Sequence, residues 1–247
     1  MRSWRCARCT PLTAWTGWPD RVLSPTETLD HLWTRGSEFL GAPYAILGGA
    51  MTWVSERNLV AAISNAGGFG VIACGAMEPD RLREEIQATR ALTDKPFGVN
   101  LITMHPHLSA LTAVCLEERV SHIVLAGGIP TRAAMRQVKD GGAKLICFAP
   151  ALILARKLVR DGVDALVIEG TEAGGHVGPV STSVLAQEIL PIIRDVPVFV
   201  AGGTGRGEVN CWRFTRGAGP CMSQGRKQGV YHAPFRPRDR RATRHFD

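Results

Sequence analysis

Residues 164–178 read Asp-Ala-Leu-Val-Ile-Glu-Gly-Thr-Glu-Ala-Gly-Gly-His-Val-Gly, and this stretch gives the strongest indication of the fold. Its apolar start, 164–168, predicts a buried strand, and the glycines that follow predict a loop. A strand that leads into a glycine-rich loop with one histidine is how an α/β barrel builds an active site. Paired glycines let a ligand approach the backbone closely, and His176 can transfer a proton near neutral pH. A flexible loop with a solvated histidine is the alternative for this stretch alone.

The alternation of strand and helix continues through residues 43–209. Short apolar runs predict strands at 44–47, 69–73, 97–101, 121–125, 143–147, 164–168 and 197–200. Amphipathic stretches predict helices near 55–66, 79–92, 107–119, 131–140, 150–161 and 182–193. Uninterrupted apolar strands are buried on both faces, which indicates a parallel sheet covered by helices. The predicted fold class is α/β, of the (β/α)8 TIM-barrel type, truncated before the eighth strand.

A doubly wound open sheet is the alternative architecture. Such sheets usually carry the pattern G-x-G-x-x-G after the first strand. Here the first predicted strand is followed by Gly48-Gly49-Ala50-Met51, which lacks that pattern and therefore favours the barrel.

Both ends of the chain differ from the regular middle, so the sequence divides into three zones. Residues 1–42 are an atypical N-terminal arm, in which only 24–40 predicts a helix, with Ser24 as its N-cap. Residues 43–209 form an incomplete barrel domain. Residues 210–247 are rich in Arg, Gly and Pro and are predicted to be a disordered tail. The abrupt change suggests an out-of-frame reading of the gene, a hypothesis that resequencing the locus tests.

Charge and cysteine usage narrow the class of protein. The net charge is +7, and residues 210–247 hold nine Lys or Arg against two Asp or Glu, so the tail carries the whole excess. A basic tail can bind polyanions non-specifically, but no specific nucleic-acid partner is predicted. The seven cysteines are odd in number and mostly in apolar segments, which predicts reduced core thiols and no metal site. Since no apolar run is long enough to span a membrane and the N-terminus lacks a secretory pattern, we expect a cytoplasmic protein without a membrane partner.

Five segments resemble the nitronate monooxygenases, a family formerly called 2-nitropropane dioxygenases. The segments are 48–55, 64–70, 95–100, 169–178 and 198–203. They follow the order and spacing of that family over about residues 44–209. The same superfamily includes flavin-dependent enoyl-ACP reductases and some NADH:quinone reductases. The family's eighth unit, with its apolar strand and glycine-threonine-arginine phosphate loop, is not recognisable after Val209.

The resemblance implies an FMN-binding TIM barrel with its site at the carboxyl ends of the strands. By resemblance, the backbone of Gly49, Ala50 and Met51 lies against the flavin ring. Asn100, at the end of the third predicted strand, hydrogen-bonds the flavin or its phosphate arm.

The loops after the sixth and seventh predicted strands complete the implied site. By resemblance, Gly174 and Gly175 approach FMN closely, and Gly202 and Gly203 supply backbone amides to its phosphate. His176 matches the active-site histidine of the family. The resemblance thus implies that this histidine takes the proton α to a nitro group, or orients the nitronate beside the flavin.

The activity implied by the resemblance is oxidation of alkyl nitronates or nitroalkanes by O2, with FMN as cofactor and His176 as catalytic base. The partners are then a small-molecule substrate and O2. A flavin-dependent enoyl-ACP or NADH:quinone reductase is the first alternative. A non-catalytic truncated remnant is the second, because a barrel without its eighth strand exposes two strand edges and is expected to bind FMN weakly.

Structural roles remain open for several of these residues. Gly48-Gly49 and Gly202-Gly203 can be plain turns, and Asn100 can cap the segment that follows it. The pair of histidines His105 and His107 can line a substrate pocket. His122 lies at the start of a strand, which indicates a structural role.

Overall fold

The computed structural model describes residues 34–174 and 177–202, and the backbone of residues 221–223. Its strands are β1 (Ile46–Gly48), β2 (Gly70–Ala73), β3 (Phe97–Ile102), β4 (His122–Ala126), β5 (Lys144–Phe148), β6 (Ala165–Glu169), β7 (Val198–Ala201) and β8 (Cys221–Ser223). All are parallel, in the order β1-β8-β7-β6-β5-β4-β3-β2. A parallel bridge between Leu47 and Phe69 joins β1 to β2, so the ends of the sheet meet and it closes into a barrel.

Helices alternate with the strands. They are α1 (residues 34–40), α2 (Arg57–Asn65), α3 (Pro79–Leu92), α4 (Leu108–Glu117), α5 (Arg132–Asp140), α6 (Leu152–Arg160) and α7 (Thr182–Ile189). Pro79 begins α3, where its missing N–H is not needed. Thr131 caps α5 by accepting a hydrogen bond from the Ala134 amide at 3.2 Å. The predicted strands and helices of the middle segment all lie close to their expected positions, which confirms the (β/α)8 class.

Apolar side chains pack in two layers, one outside the sheet and one inside the barrel. On β3, Val99 and Leu101 belong to the outer layer, under the helices. Successive strand residues point to opposite faces, so Asn100 between them points into the barrel. The inner layer contains Leu40, Leu47, Phe69, Val71, Val124, Ile146, Ala165, Val167, Phe199 and Ala201.

The amino-terminal end of the barrel, which we call the floor, is formed by Phe39, Leu40, Phe69, His122 and Lys144. Here α1 ends against the strands, with the Phe39 carbonyl accepting hydrogen bonds from Lys144 Nζ at 2.6 Å and His122 Nε2 at 2.9 Å. Because a carbonyl oxygen can only accept, Nε2 carries the proton. The Phe39 and Phe69 rings pack edge-on against His122, at centroid distances of 5.1 and 4.8 Å. The floor is therefore closed by both apolar and polar contacts.

His122 is held in its neutral form. Burial lowers its pKa to about 4, with the Lys144 ammonium acting in the same direction and the Phe39 hydrogen bond opposing it. Its second ring nitrogen, Nδ1, lies 2.9 Å from Ser121 Oγ. The structural role expected for His122 fits this arrangement.

Just before the domain boundary expected at residue 43, Leu40 and Ala42 are buried and pack with the inner layer. One expectation about the carboxyl-terminal end of the chain needs correction. The expected absence of an eighth strand is wrong at Cys221–Ser223, which pairs with both β1 and β7. Three residues are too few to show a hydrophobic period, so the sequence pattern around them gave no signal. The predicted tail, residues 210–247, otherwise lies outside the described residues, as does most of the arm, 1–42.

Three of the cysteines whose side chains the structure describes are buried free thiols. They are Cys74, Cys115 and Cys147. Burial raises the pKa of Cys74 and of Cys147 to about 12, so both remain protonated. For these three, the prediction of reduced core thiols is confirmed.

None of the helices in the described segments is long and apolar enough to cross a membrane.

Candidate functional site

The carboxyl-terminal end of the barrel, which we call the mouth, consists of the loops that follow the strands. In the described part of the chain these are residues 49–56, 74–78, 103–107, 127–131, 149–151, 170–174 and 177–181, together with Gly202. This is the end at which α/β barrels place their active sites. Of the predicted site residues that the structure describes, five lie in these loops. They are Gly49, Ala50, Met51, Gly174 and Gly202. The sixth, Asn100, lies in the second half of β3, just below the loop that follows this strand.

The loop after β1 is folded around the side chain of Ser55. The Ser55 hydroxyl donates a hydrogen bond to the Gly49 carbonyl and accepts one from the Met51 amide, both at 3.0 Å. Ser55 is buried, and its carbonyl accepts a hydrogen bond from the Ala73 amide at 3.0 Å. These bonds attach residues 49–51 to the end of β2. Ser55 belongs to segment 48–55, one of the five segments that resemble the family, but the sequence alone predicted no role for its side chain.

Asn100 is the buried polar group at the centre of this side of the mouth. It pairs with Ala73 of β2 and Val124 of β4 in the sheet, and only 6% of its surface is exposed. Its backbone carbonyl accepts from the Cys74 amide at 3.1 Å. Its side-chain amide makes no hydrogen bond to any other described residue. The capping role that remained open for Asn100 therefore has no support among the described contacts, and the amide is available to a ligand.

Backbone hydrogen bonds join the two ends of the loop between β6 and α7. The Thr171 amide donates to the Val180 carbonyl at 2.9 Å, and the Gly178 amide donates to the Gly170 carbonyl at 3.3 Å. A further hydrogen bond, from the Ala173 amide to Gly170, measures 3.1 Å. Gly174 follows this stem. Gly175 and His176 lie outside the described residues, so their predicted roles stay predictions.

The loops after β6 and β7 touch backbone to backbone. Gly202 has a φ of +89°, and a Cβ built on it would lie 2.7 Å from the Ala173 nitrogen and 2.8 Å from its Cα. Only glycine fits here, both for its conformation and for the space. Gly202 thus lies against Ala173, the residue that precedes Gly174 in the chain. Gly203 lies outside the described residues.

The sequence analysis missed a further pair of glycines at the mouth. Gly127 and Gly128 follow β4, and Gly127 has a φ of +77°. A Cβ on Gly128 would lie 2.7 Å from Thr103 Oγ1, and that hydroxyl is buried with no hydrogen-bond partner among the described residues. The signal was present, because Ala126-Gly127-Gly128 repeats the strand-then-glycines pattern of the recognised loops.

Two histidines lie beside the mouth, after β3. The ring centroids of His105 and His107 are 5.9 Å apart, and His107 Nε2 lies 3.8 Å from the Glu78 carboxylate. Among the described residues no group of three or more His, Cys, Asp or Glu is arranged to hold a metal ion.

Exposed apolar side chains surround the mouth, and we call them the apolar rim. They belong to the loops after β1, β3, β4 and β6. The rim residues are Trp53, Val54, Met104, Ile129 and Val177. A rim of this kind can bind an apolar part of a substrate and keep water from the interior.

The chain matches the family model described as nitronate monooxygenase over residues 34–112 and 109–220. A nitronate monooxygenase of Paraburkholderia phytofirmans is 31% identical over 211 residues, covering 66% of this chain and 57% of that protein. A 5-hydroxy-7a-methyl-1-oxo-octahydro-1H-indene-4-carboxyl-CoA dehydrogenase of Mycobacterium tuberculosis is 36% identical over 183 residues, covering 72% of this chain and 51% of that protein. The chain therefore spans about half the length of the curated relatives it matches.

Solved structures show the same fold. FabK from Thermotoga maritima superimposes with a TM-score of 0.74 and 39% identity, covering 77% of this chain and 60% of FabK. Nitroalkane oxidase from Streptomyces ansochromogenes superimposes with a TM-score of 0.68 and 25% identity, covering 76% of this chain and 66% of that protein.

Proposed function

Because the chain belongs to the nitronate monooxygenase family, a family of flavin-dependent oxidoreductases, we propose that it binds FMN at the mouth and oxidises alkyl nitronates or nitroalkanes with O2. The proposal gives His176 the role of catalytic base. A bound FMN would supply the redox chemistry, accepting electrons from the substrate and passing them to O2.

The unpartnered amide of Asn100 is the observation that carries this proposal. An amide at the end of a strand that no described residue bonds can bind a ligand, and a few polar groups of this kind fix the orientation of a ligand in its site. The Asn100 side chain can both donate to a flavin carbonyl and accept from a flavin N–H. The loop at Gly49 and the contact between Gly202 and Ala173 lie at the same end of the barrel, and their glycines let a ligand approach the backbone. A flat ring system and a phosphate can bind against backbone of this kind.

Three further groups have separate roles in the proposed reaction. His176 takes the proton α to the nitro group, for which a neutral imidazole is suited near pH 7. The amides near Gly202 and Gly203 bind the FMN phosphate. The apolar rim covers the reacting atoms and limits the entry of water.

The test is an absorbance spectrum of the purified chain after incubation with FMN and desalting, followed by turnover of a neutral nitroalkane and of its nitronate. We expect a retained flavin spectrum, and in His176→Ala, with the flavin still bound, a loss of nitroalkane turnover, because only the neutral nitroalkane has an α proton for the base to remove. Gln187→Ala, which changes an exposed side chain on α7 outside the mouth loops, is the control and should keep its activity. A chain that retains no flavin would contradict the proposal and favour a non-catalytic remnant.

A flavin-dependent reductase of unsaturated acyl thioesters is the second candidate. It is supported by the 39% identity to FabK and the 36% identity to a carboxyl-CoA dehydrogenase. The two candidates differ in electron donor. Oxidation of NAD(P)H that depends on an enoyl thioester, without turnover of nitronates, would select the reductase.

A further inference from the structure

We propose that Ile102, Ala126 and Phe148 form a cleft that holds the alkyl chain of the substrate and sets which chains the protein accepts. We call these three residues the alkyl cleft. Each is the last residue of its strand, on the neighbouring strands β3, β4 and β5. The inference rests on the proposed function, because it places the cleft beside a flavin bound at Asn100.

All three side chains of the alkyl cleft point into the barrel. The residue before each of them belongs to the outer layer, and successive strand residues point to opposite faces. Those preceding residues are Leu101, Leu125 and Cys147. Ile102 therefore shares a face of β3 with Asn100 and lies about 7 Å nearer the loops. The three residues of the cleft are partly exposed, so space at the mouth reaches them.

Ala126 lies between two larger side chains. It pairs with Ile102 in the sheet. Phe148 lies one residue beyond the last registered pair of β4 and β5, and it packs against the inner layer. Since neighbouring strands are about 4.8 Å apart, Ile102 and Phe148 stand on strands about 10 Å apart with a single methyl group between them. Carbon atoms make contact at about 3.5–4 Å, so a chain of methylene groups above Ala126 can touch both walls.

Two glycines leave Ile102 as a single, well-defined wall of the cleft. A Cβ on Gly127 would lie 3.0 Å from Cγ2 of Ile102, and one on Gly75 would lie 3.7 Å from its Cγ1. Gly75 follows β2 and Gly127 follows β4, so neither position supplies a side chain that could cover Ile102. A β-branched side chain also has few rotamers. The width of the cleft on this side therefore depends on Ile102 itself.

The lining of the alkyl cleft suits an uncharged, apolar group. Its three side chains are hydrocarbon, and burying one methylene group against such a surface raises affinity about fourfold. Met104 and Ile129 of the apolar rim follow β3 and β4, so the apolar surface continues from the cleft towards solvent. A chain that starts beside Asn100 can thus run past Ala126 and out along the rim.

The test is the ranking of kcat/KM for nitroethane, 1-nitrobutane and 1-nitrohexane in the full chain with FMN bound. In the parent we expect kcat/KM to rise about fourfold for each methylene group until the cleft is full. Ala126→Leu fills the gap between the walls. It should lower kcat/KM for 1-nitrohexane at least about tenfold and leave nitroethane within about threefold.

Ile102→Ala should have the opposite effect, because it removes one wall. A phenyl ring is wider than an alkyl chain, so kcat/KM for (2-nitroethyl)benzene relative to nitroethane should rise at least about tenfold. Ile192→Ala is the matched control. Ile192 lies between α7 and β7, at the other end of the barrel, and its loss should leave the ranking unchanged.

A binding measurement without turnover complements the ranking. Hexanoate has a planar anionic group and an apolar chain but does not react, and calorimetry gives its Kd. Ala126→Leu should weaken hexanoate binding about tenfold and leave propanoate binding within about threefold. Flavin retention after desalting is measured for every variant and should equal that of the parent.

The possible outcomes separate the alkyl cleft from the proposed function. An unchanged ranking in Ala126→Leu and Ile102→Ala would overturn the cleft alone. Loss of flavin in both variants, with the parent ranking kept in the remaining activity, would also overturn it, because these side chains would then contact the flavin. If Ala126→Leu does not fold, Ile102→Ala decides. A parent chain that binds no flavin or turns over no nitroalkane would refute the proposed function, and the alkyl cleft with it.

Discussion

The floor and the mouth are the two ends of one barrel, yet their side chains are arranged in opposite ways. At the floor, His122 and Lys144 both bind the Phe39 carbonyl, and the ring of Phe69 is buried. At the mouth, the side-chain amide of Asn100 and the buried hydroxyl of Thr103 have no hydrogen-bond partner among the described residues. Stability and function are therefore separated along the barrel axis, as α/β barrels generally separate them.

The largest expected effect is at the floor. Phe69→Ala removes a fully buried ring that packs on His122, and we expect a loss of about 3–5 kcal/mol in the free energy of unfolding. Met104→Ala is the comparison at the mouth, because Met104 is 75% exposed and its loss should cost less than about 0.5 kcal/mol. Urea unfolding of both variants measures the difference. Similar losses at the two sites would remove the distinction between the ends.

A second effect at the floor depends on pH. Because the pKa of folded His122 is depressed to about 4, from an ordinary value of about 6.5, the unfolded chain binds the proton first. The stability contributed by neutral His122 is complete above about pH 6.5 and is lost as the pH falls towards 4. We expect this loss to reach about 3 kcal/mol near pH 4. Unfolding free energies measured between pH 4 and 7 should show a shallower slope in His122→Asn.

Two glycines with similar positive φ angles, Gly202 at the mouth and Gly142 at the opposite end of the barrel, allow a direct test of the difference between the two ends. Gly202→Ala at the mouth adds a Cβ at a φ of +89° that meets the Ala173 backbone. Gly142→Ala, just before β5, adds one at a φ of +81° with nothing within 4 Å. Both should lose about 1–2 kcal/mol from backbone strain, and Gly202→Ala more from the collision. Only Gly202→Ala should also lose FMN after desalting, and equal flavin retention would contradict its place in the site.

The sequence predicted the mouth better than the floor, for a physical reason. The loops of the mouth are built from glycine pairs and a polar residue after an apolar strand, and such patterns are visible along the chain. The floor depends on α1 meeting β4 and β5 across 83 and 105 positions of sequence, through one backbone carbonyl. No local pattern encodes that contact. The hydrogen bonds of Ser55 could not be predicted either, because its partners are backbone groups whose positions only the fold defines.

The smallest expected effect tests the central claim about the mouth, that Asn100 is kept for a ligand. In Asn100→Leu, an apolar side chain of similar size replaces an amide that has no partner among the described residues. We expect the unfolding free energy of the flavin-free chain to change by less than about 0.5 kcal/mol, since no hydrogen bond to a described residue is lost. FMN affinity should fall about tenfold, which corresponds to about 1.4 kcal/mol.

Asn65→Leu is the matched control for this change. The Asn65 side chain donates to the Leu92 carbonyl and accepts from the Thr93 hydroxyl, at 3.2 and 2.6 Å, on the outside of the barrel. Its replacement should lower the unfolding free energy by about 1–2 kcal/mol and leave FMN affinity unchanged. The two variants thus have opposite signatures, one losing affinity and the other stability. If Asn100→Leu destabilised the flavin-free chain as much as Asn65→Leu does, the Asn100 amide would have a hydrogen-bond partner within the protein. The polar side chains of the mouth would then stabilise the fold as those of the floor do.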